Sequence, residues 1–563
     1  MWASVLGERA GRIAGIACAL ALLAATFVFL FLTEPIAVRF WFAVAVTAGM
    51  VFFLTALSRR LLFASVTAAS LVAIIFLVSL NKQATMNMGL HSYDLFFYVT
   101  ADTFGFLWGD YRRIVVSILG ACAAATVLTA AAWRFDTTRL PRLASVLALI
   151  VSVTVAGAFE PRATAESGAF RLFTQGNSHI SAFYLSWDET WRTLRRGQLM
   201  AAAAGTALPD FASESRCRTS GSSPHIVLVH QESLVPPVLF PGLQYDRTLD
   251  RFFLSGDDQL HRLRVETYGG GSWVTEFALL TGISTKAFGD MRMFVQVLME
   301  GRLNETLPQV LASCGYRTLM LFPMNNGFLR LDRFYRSIGF SEILDQAAQN
   351  APTNRERDRF YFQNALDAMD RHLKSSNQPL FIYIQTMAAH GPYDRAYRPQ
   401  ENVPGGGPGT SAEMSEYLRR AGMAKSDNDF VMAEIKRRFP GEPVLVTRYG
   451  DHQPSATHDL INNVWGDDSP DIGGSGAPGP FITFYAMEGL NYPVPPMPGF
   501  DPLDTAYLGT VMLEAAGLPL SGVQRERKRL MVDCAGRYSG CEPRSQILAF
   551  HRRLINSGFV RTQ

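Results

Sequence analysis

Five apolar stretches, about Ile13 to Leu32, Ile36 to Leu57, Leu61 to Leu80, Ile114 to Trp133 and Leu143 to Phe159, fill most of residues 1–160. Each is near the ~20 residues a helix needs to cross a bilayer. Lipid offers the backbone no partners, so a spanning segment must satisfy its own N–H and C=O groups, and helices do this. A five-helix transmembrane domain is therefore expected. The first stretch also has the length of a signal peptide, but four further spans follow it at once, and this favours a retained anchor. Arg9 and Arg12 precede the first span, Arg59 and Arg60 lie between the second and third, and Arg134, Arg139 and Arg142 lie between the fourth and fifth. By the positive-inside rule these ends are cytoplasmic, so the chain after about Phe159 is expected in the periplasm or outside the cell.

The rest of the chain is organised differently. Residues 81–113 are too polar for lipid, and their aromatics suit an interfacial segment. Residues 161–223 read as a juxtamembrane linker containing an amphipathic helix over Ile180 to Leu199. Phe183, Trp187, Trp191 and Leu194 fall at helical spacing there, with Arg192, Arg195 and Arg196 interspersed. This stripe would serve equally on a membrane surface or against a soluble domain. From 224 to 563, strand-like runs such as IVLVHQ, TLMLFP, PLFIYIQTM, PVLVTRY and PFITFYAM alternate with helix-like segments, which argues for an α/β layered domain. A net charge of +3, with no basic run interleaved with aromatics, argues against a nucleic-acid partner. Of the six cysteines, Cys534 and Cys541 lie close enough to pair locally in an oxidising compartment, while pairing of Cys217 with Cys314 stays open.

Three motifs carry the chemistry: VLVHQES, YGGGSWVTEFALLTGIS and VTRYGDHQP. Glu232 follows a hydrophobic run, where a buried acid needs a partner, and a metal is one such partner. Asp451 and His452 are two ligand-capable neighbours at a second strand end, after Gly450, which permits a sharp turn. Two strand ends could thus hold a cation between them. Ser272 follows Gly269, Gly270 and Gly271 and opens a helix-like segment. It is a candidate nucleophile beside an anion-binding helix terminus, or a plain N-cap with Glu276 in the next turn. A hydroxyl is a weak nucleophile until a divalent cation favours its alkoxide. Thr275 and Thr281 are rival hydroxyls. His390, after the run PLFIYIQT, is placed to contact the transferred group or to protonate a leaving oxygen, or it is a structural histidine.

These motifs resemble the lipoteichoic acid synthase and phosphoglycerol transferase branch of the alkaline phosphatase and sulfatase superfamily, which also has a five-span anchor and an outward catalytic domain. The resemblance implies an α/β/α sandwich of alkaline phosphatase type. It makes Glu232, Ser272, Asp451 and His452 the metal ligands, Ser272 the nucleophile in place of the family's threonine, and His390 the histidine that approaches the phosphoryl group. It also implies substrate-binding roles for Arg330 and Asp332, in FLRLDRFYRSIGF. That stretch keeps Asp332, Tyr335, Gly339 and Phe340 of the family's FWNRD and YxSxGF pattern but has Leu329 and Leu331, with Arg330 shifted by one. Ser272 has Val274 and Glu276 where the formylglycine route of sulfatases needs Pro and Arg.

The resemblance further implies a transferase that moves a phosphoglycerol head group from phosphatidylglycerol to a periplasmic or surface glycan. The intermediate is a phospho-serine and the cation Mn²⁺ or Mg²⁺, with Zn²⁺ compatible with mixed oxygen and nitrogen ligands. The alternatives are a phosphoethanolamine transferase using phosphatidylethanolamine as donor and acting on lipid A or glycan, a phosphate or sulfate ester hydrolase, and a glycan-binding protein without catalysis. Each places the chain in the bacterial inner membrane.

Overall fold

The computed structural model describes the chain except residues 1, 87, 161–177, 197–198, 205–210, 212–216, 218–222, 326–330, 402, 404–405, 463, 465–468 and 563. It divides into two compact units, Met1–Gly197 and Gln198–Gln563.

In the first unit, four helical stretches among the described residues are long and apolar enough to cross a membrane: Ala10–Thr33, Ala37–Ser58, Leu61–Met86 and Arg112–Phe135. The fifth expected span is the helix Arg142–Ala158, whose 17 residues lie at the short end of the spanning range. Phe31, Leu32, Val127, Leu143 and Val151 stand exposed on these helices, as lipid-facing side chains do. Between the helices Leu61–Met86 and Arg112–Phe135 lie two short helices, Ser92–Phe97 and Ala101–Asp110.

The helix His179–Arg196 packs at its start on the first unit's own helices, while Trp187 and Trp191 of its apolar stripe stand exposed. Within the first unit, Ile180 and Phe183 are buried in one cluster with Leu30, Phe40, Val72 and Ile75 of three long helices. Its first turn is capped from afar: the Glu34 carboxylate accepts from the backbone N–H of Ile180 at 2.8 Å and from the Ser181 hydroxyl at 2.6 Å. A carboxylate at a helix N-terminus satisfies donors that have no intrahelical partner.

In the second unit, strands β1 (His225–Gln231), β2 (His261–Arg264), β3 (Arg317–Leu321), β4 (Glu342–Leu344), β5 (Leu380–Gln385), β6 (Val444–Gly450), β7 (Ile482–Leu490) and β8 (Leu503–Asp504) form one sheet in the order β4-β3-β5-β1-β6-β7-β2-β8. The pairs from β4 to β6 are parallel, and β7 runs antiparallel to both β6 and β2. The central strands read as continuous apolar runs because both sheet faces are covered. On one face, Val227 and Val229 of β1 pack with Tyr361, Phe362 and Met369 of the helix Asp358–Leu373 and with Val431 and Ile435 of the helix Ala412–Arg438. Side chains alternate along a strand, so His230 points to the opposite face. There it meets Glu276 of the helix Ser272–Thr281. Helices on both faces make this an α/β/α sandwich.

Two disulfides are formed in the second unit's sequence range, Cys534–Cys541 and Cys217–Cys314. The second closes a separation of 97 residues.

Candidate active site

The parallel pairing of β1 and β6 sets Gln231 opposite Gly450. Each strand ends there, so Glu232 and Asp451 leave the sheet side by side, at the carboxyl ends where α/β sheets bind ligands. Ser233, at φ 57, lies in the left-handed region. Its N–H donates to Asp451 Oδ1 at 2.8 Å and its hydroxyl to Glu232 Oε1 at 2.8 Å, so one residue ties the two carboxylates together. Gly450 is not in the left-handed region expected of a sharp turn. A Cβ there would lie 2.1 Å from the Leu234 carbonyl oxygen, so glycine is needed for close backbone approach.

Gly269, Gly270 and Gly271 all have positive φ, and Gly271 caps the helix Ser272–Thr281. Ser272 is thereby the first helical residue and not the cap. Its hydroxyl donates to Glu232 Oε2 at 3.1 Å. Glu276 does not return to the helix start as a capping acid; it is buried and faces the sheet. The rival hydroxyls are engaged elsewhere, Thr275 with the Asp451 carbonyl at 2.8 Å and Thr281 with the Phe277 carbonyl at 2.7 Å.

His452 brings Nε2 to 3.4 Å from Glu232 Oε1 and 3.2 Å from Asp451 Oδ2, while its Nδ1 lies 2.9 Å from the Gln453 carbonyl. His230, absent from the residues singled out in the sequence, enters from β1 with Nε2 3.2 Å from Asp451 Oδ2 and 3.5 Å from Glu232 Oε2. Its signal was its place two residues before Glu232, on the same side of the strand. Among the described residues, His230 Nε2, Asp451 Oδ2 and His452 Nε2 are buried without a well-formed hydrogen bond. Such atoms are rare unless something else binds them. His230, Glu232 and Asp451 present ligand atoms within 4.8 Å of one another, a set that could hold a metal ion.

The electrostatics follow from this crowding. Burial opposes the charged ring of His452, but Asp451 and Glu232 outweigh it and push the ring up to about 9. Burial likewise works against His230, where Tyr449, Asp451 and Glu232 raise it well above its ordinary value. Burial also raises Glu232, yet the two rings hold its carboxyl well below the usual range. Two imidazoles matched to two carboxylates form an arrangement in which a divalent cation can replace ring protons.

His390, in the loop after β5, is near enough for the Glu232 and His452 charges to act on its ring, which burial pulls below its ordinary value. Its Nδ1 lies 2.6 Å from the Gly391 carbonyl. The backbone N–H groups of Met387 and Ala388 in this loop donate to Asp358 Oδ1 at 3.0 and 2.9 Å. Asp332 lies half-buried in the first turn of the helix Leu331–Ser337, and Arg330 lies outside the described residues.

Residues 263–476 match the sulfatase family model, a stretch that includes Ser272, His390, Asp451 and His452. An uncharacterized protein of Haemophilus influenzae is 26% identical over 247 residues, 42% of this chain, and the match spans 44% of that relative, less than half its length. Among solved structures, the chain is similar to the phosphoglycerol transferase GacH of Streptococcus pyogenes, in complex with sn-glycerol-1-phosphate, at 16% identity and a TM-score of 0.46 over 62% of this chain and 89% of that one. It is also similar to the lipooligosaccharide phosphoethanolamine transferase EptA of Neisseria meningitidis, at 13% identity and a TM-score of 0.47 over 88% of this chain and 95% of that one.

Proposed function

We propose that this chain, which carries a domain of the sulfatase and alkaline phosphatase superfamily, is a membrane-anchored, metal-dependent phosphotransferase. In this reading it moves a phosphoglycerol head group from phosphatidylglycerol to a glycan on the outer side of the bacterial inner membrane. The observation that carries the reading is the approach of the Ser272 hydroxyl to Glu232, 3.1 Å away, beside a cluster of buried carboxylates and imidazoles. The bilayer orientation rests on the distribution of arginines among the loops.

Glu232, Asp451, His452 and Ser272 would hold a divalent cation, Mn²⁺ or Mg²⁺ by the family resemblance and Zn²⁺ also by the chemistry of the donors. When bound, such a cation favours the serine alkoxide and offsets charge on the phosphoryl oxygens. The Ser272 oxygen attacks phosphorus and forms a P–O bond while the bond to the diacylglycerol oxygen breaks. Diacylglycerol leaves as the alcohol, with a proton supplied by His390. An acceptor hydroxyl then attacks the phospho-serine, passes its proton back to His390 as its oxygen bonds to phosphorus, and the P–O bond to Ser272 breaks to free the serine oxygen. The helix Ser272–Thr281 directs its N-terminal N–H groups and positive dipole end toward the site of attack, which favours an anionic group there.

A phosphoethanolamine head group is the second reading, favoured by Leu329 and Leu331 standing where the phosphoglycerol pattern has polar and aromatic side chains. Mass spectrometry of the protein and of Ser272→Ala, incubated with Mn²⁺ and labelled phosphatidylglycerol or phosphatidylethanolamine, tests both. A glycerophosphate adduct absent from the variant supports the first reading. A phosphoethanolamine adduct moves the assignment to the second. No adduct and no diacylglycerol from either lipid removes the transferase reading.

A further inference from the structure

We propose that His230 is an additional imidazole ligand to the cation of this site, aimed by a buried relay of Tyr449, Tyr383 and Glu276 behind it. The inference rests on the metal-dependent reading of the site and adds to it both a ligand and the machinery that orients that ligand.

The two ring nitrogens of His230 have different surroundings. Nδ1 lies 3.0 Å from the Tyr449 hydroxyl and 3.2 Å from both the Tyr383 hydroxyl and Glu276 Oε1. Nε2 faces Asp451 and Glu232 and makes no well-formed hydrogen bond among the described residues. A histidine held only for packing usually satisfies both nitrogens. This one satisfies Nδ1 several times over and leaves Nε2 between two carboxylates.

The relay has a consistent direction. Tyr383 and Tyr335 donate to Glu276, the latter at 2.6 Å, and the Tyr383 and Tyr449 hydroxyls are 2.8 Å apart. Because the carboxylate can only accept, each hydroxyl proton is drawn toward Glu276. His230 Nδ1 then donates its proton to the relay and Nε2 presents its lone pair to the site. A carboxylate behind a ligating imidazole fixes the tautomer and raises its basicity. Sheet register builds the arrangement: in the parallel pairing His230 lies level with Tyr449 on β6 and Gln385 on β5, so these side chains share one face. Gln385 also donates to Glu276.

A second imidazole changes which cations fit. Mg²⁺ favours oxygen ligands, whereas Mn²⁺ and above all Zn²⁺ accept nitrogen, so His230 should bias the site toward them.

The test uses the full chain in detergent. Zn²⁺ and Mg²⁺ are titrated by calorimetry into the wild type, His230→Gln, Glu276→Gln and, as the reference for the site itself, Asp451→Asn. The expected result is a Zn²⁺ affinity reduced about 10–100-fold in Glu276→Gln and at least as much in His230→Gln, with the Mg²⁺ affinity changed less. Pulsed EPR of the Mn²⁺-loaded protein in a His390→Gln background gives a count that needs no change at His230: coupling to two imidazole nitrogens is expected. A single coupled imidazole, or unchanged Zn²⁺ affinity in a folded His230→Gln protein, overturns the proposal while leaving the metal site intact. If the wild type binds no cation, or Asp451→Asn binds as well as the wild type, the metal-dependent reading itself falls and this inference with it.

Discussion

Gln231 lies opposite Gly450 across the parallel pairing of β1 and β6, and this register brings Glu232 and Asp451 into one site. The pairing depends on the absence of a side chain at Gly450, whose Cβ would meet the Leu234 carbonyl oxygen at 2.1 Å. Gly450→Ala should therefore push β6 away from the turn after β1. A loss of about 3 kcal/mol is expected from the overpacking, measured as a lower chemical-denaturation midpoint, together with weaker cation binding. An unchanged midpoint would show that the turn gives way without cost.

His390 is close to Glu232 and His452 and is assigned the proton delivered to the leaving oxygen. His390→Gln should lower turnover by about 10²–10⁴-fold, the usual range for a positioned acid or base. Cation affinity should stay close to that of the wild type. Turnover with a donor whose leaving group needs no proton should be largely restored, and failure of that rescue would contradict the role.

Asp358 gives the loop before His390 a pH-dependent hold. Its buried carboxyl is raised from 3.8 to about 7, first by burial and then by Asp427, against the opposing pull of the Ala388 and Met387 N–H groups. A raised acid keeps in the folded state a proton that the unfolded chain releases. Its stabilising contribution is therefore present below about 4 and lost as the pH rises through about 7. At 1.36 kcal/mol per pH unit the span corresponds to roughly 4 kcal/mol. Asp358→Asn, which retains an acceptor for both N–H groups, should flatten the fall in denaturation midpoint between pH 4 and pH 7. An equal slope in variant and wild type would assign the pH dependence to other groups.

Chelation should act on stability as well as on activity. A cation present at 100 times its dissociation constant adds about 2.7 kcal/mol to the folded state. Treatment with EDTA should accordingly lower the thermal midpoint, and added Mn²⁺ or Zn²⁺ should restore it. Asp451→Asn should be insensitive to both, and a variant that still responded would place the cation elsewhere.

Local features of the sequence determined much of this protein. Runs of apolar residues near 20 in length specify helices in lipid wherever they occur, and short apolar runs ending in Glu232 or in Asp451 and His452 mark strand ends, because burial and alternation act over a few residues. The glycine run before Ser272 needs positive φ, which is also a local property. The tertiary structure decided what those segments meet. Thr275 is committed to the Asp451 carbonyl, Glu276 turns inward to Tyr335, Tyr383 and His230, and the helix His179–Arg196 packs on the first unit's own helices. Gly450 is required by the carbonyl facing it and not by its own backbone angles. Each of these depends on strand register and on helices packed across a sheet, contacts between residues tens to hundreds of positions apart, for which no local pattern of residue types carries the information.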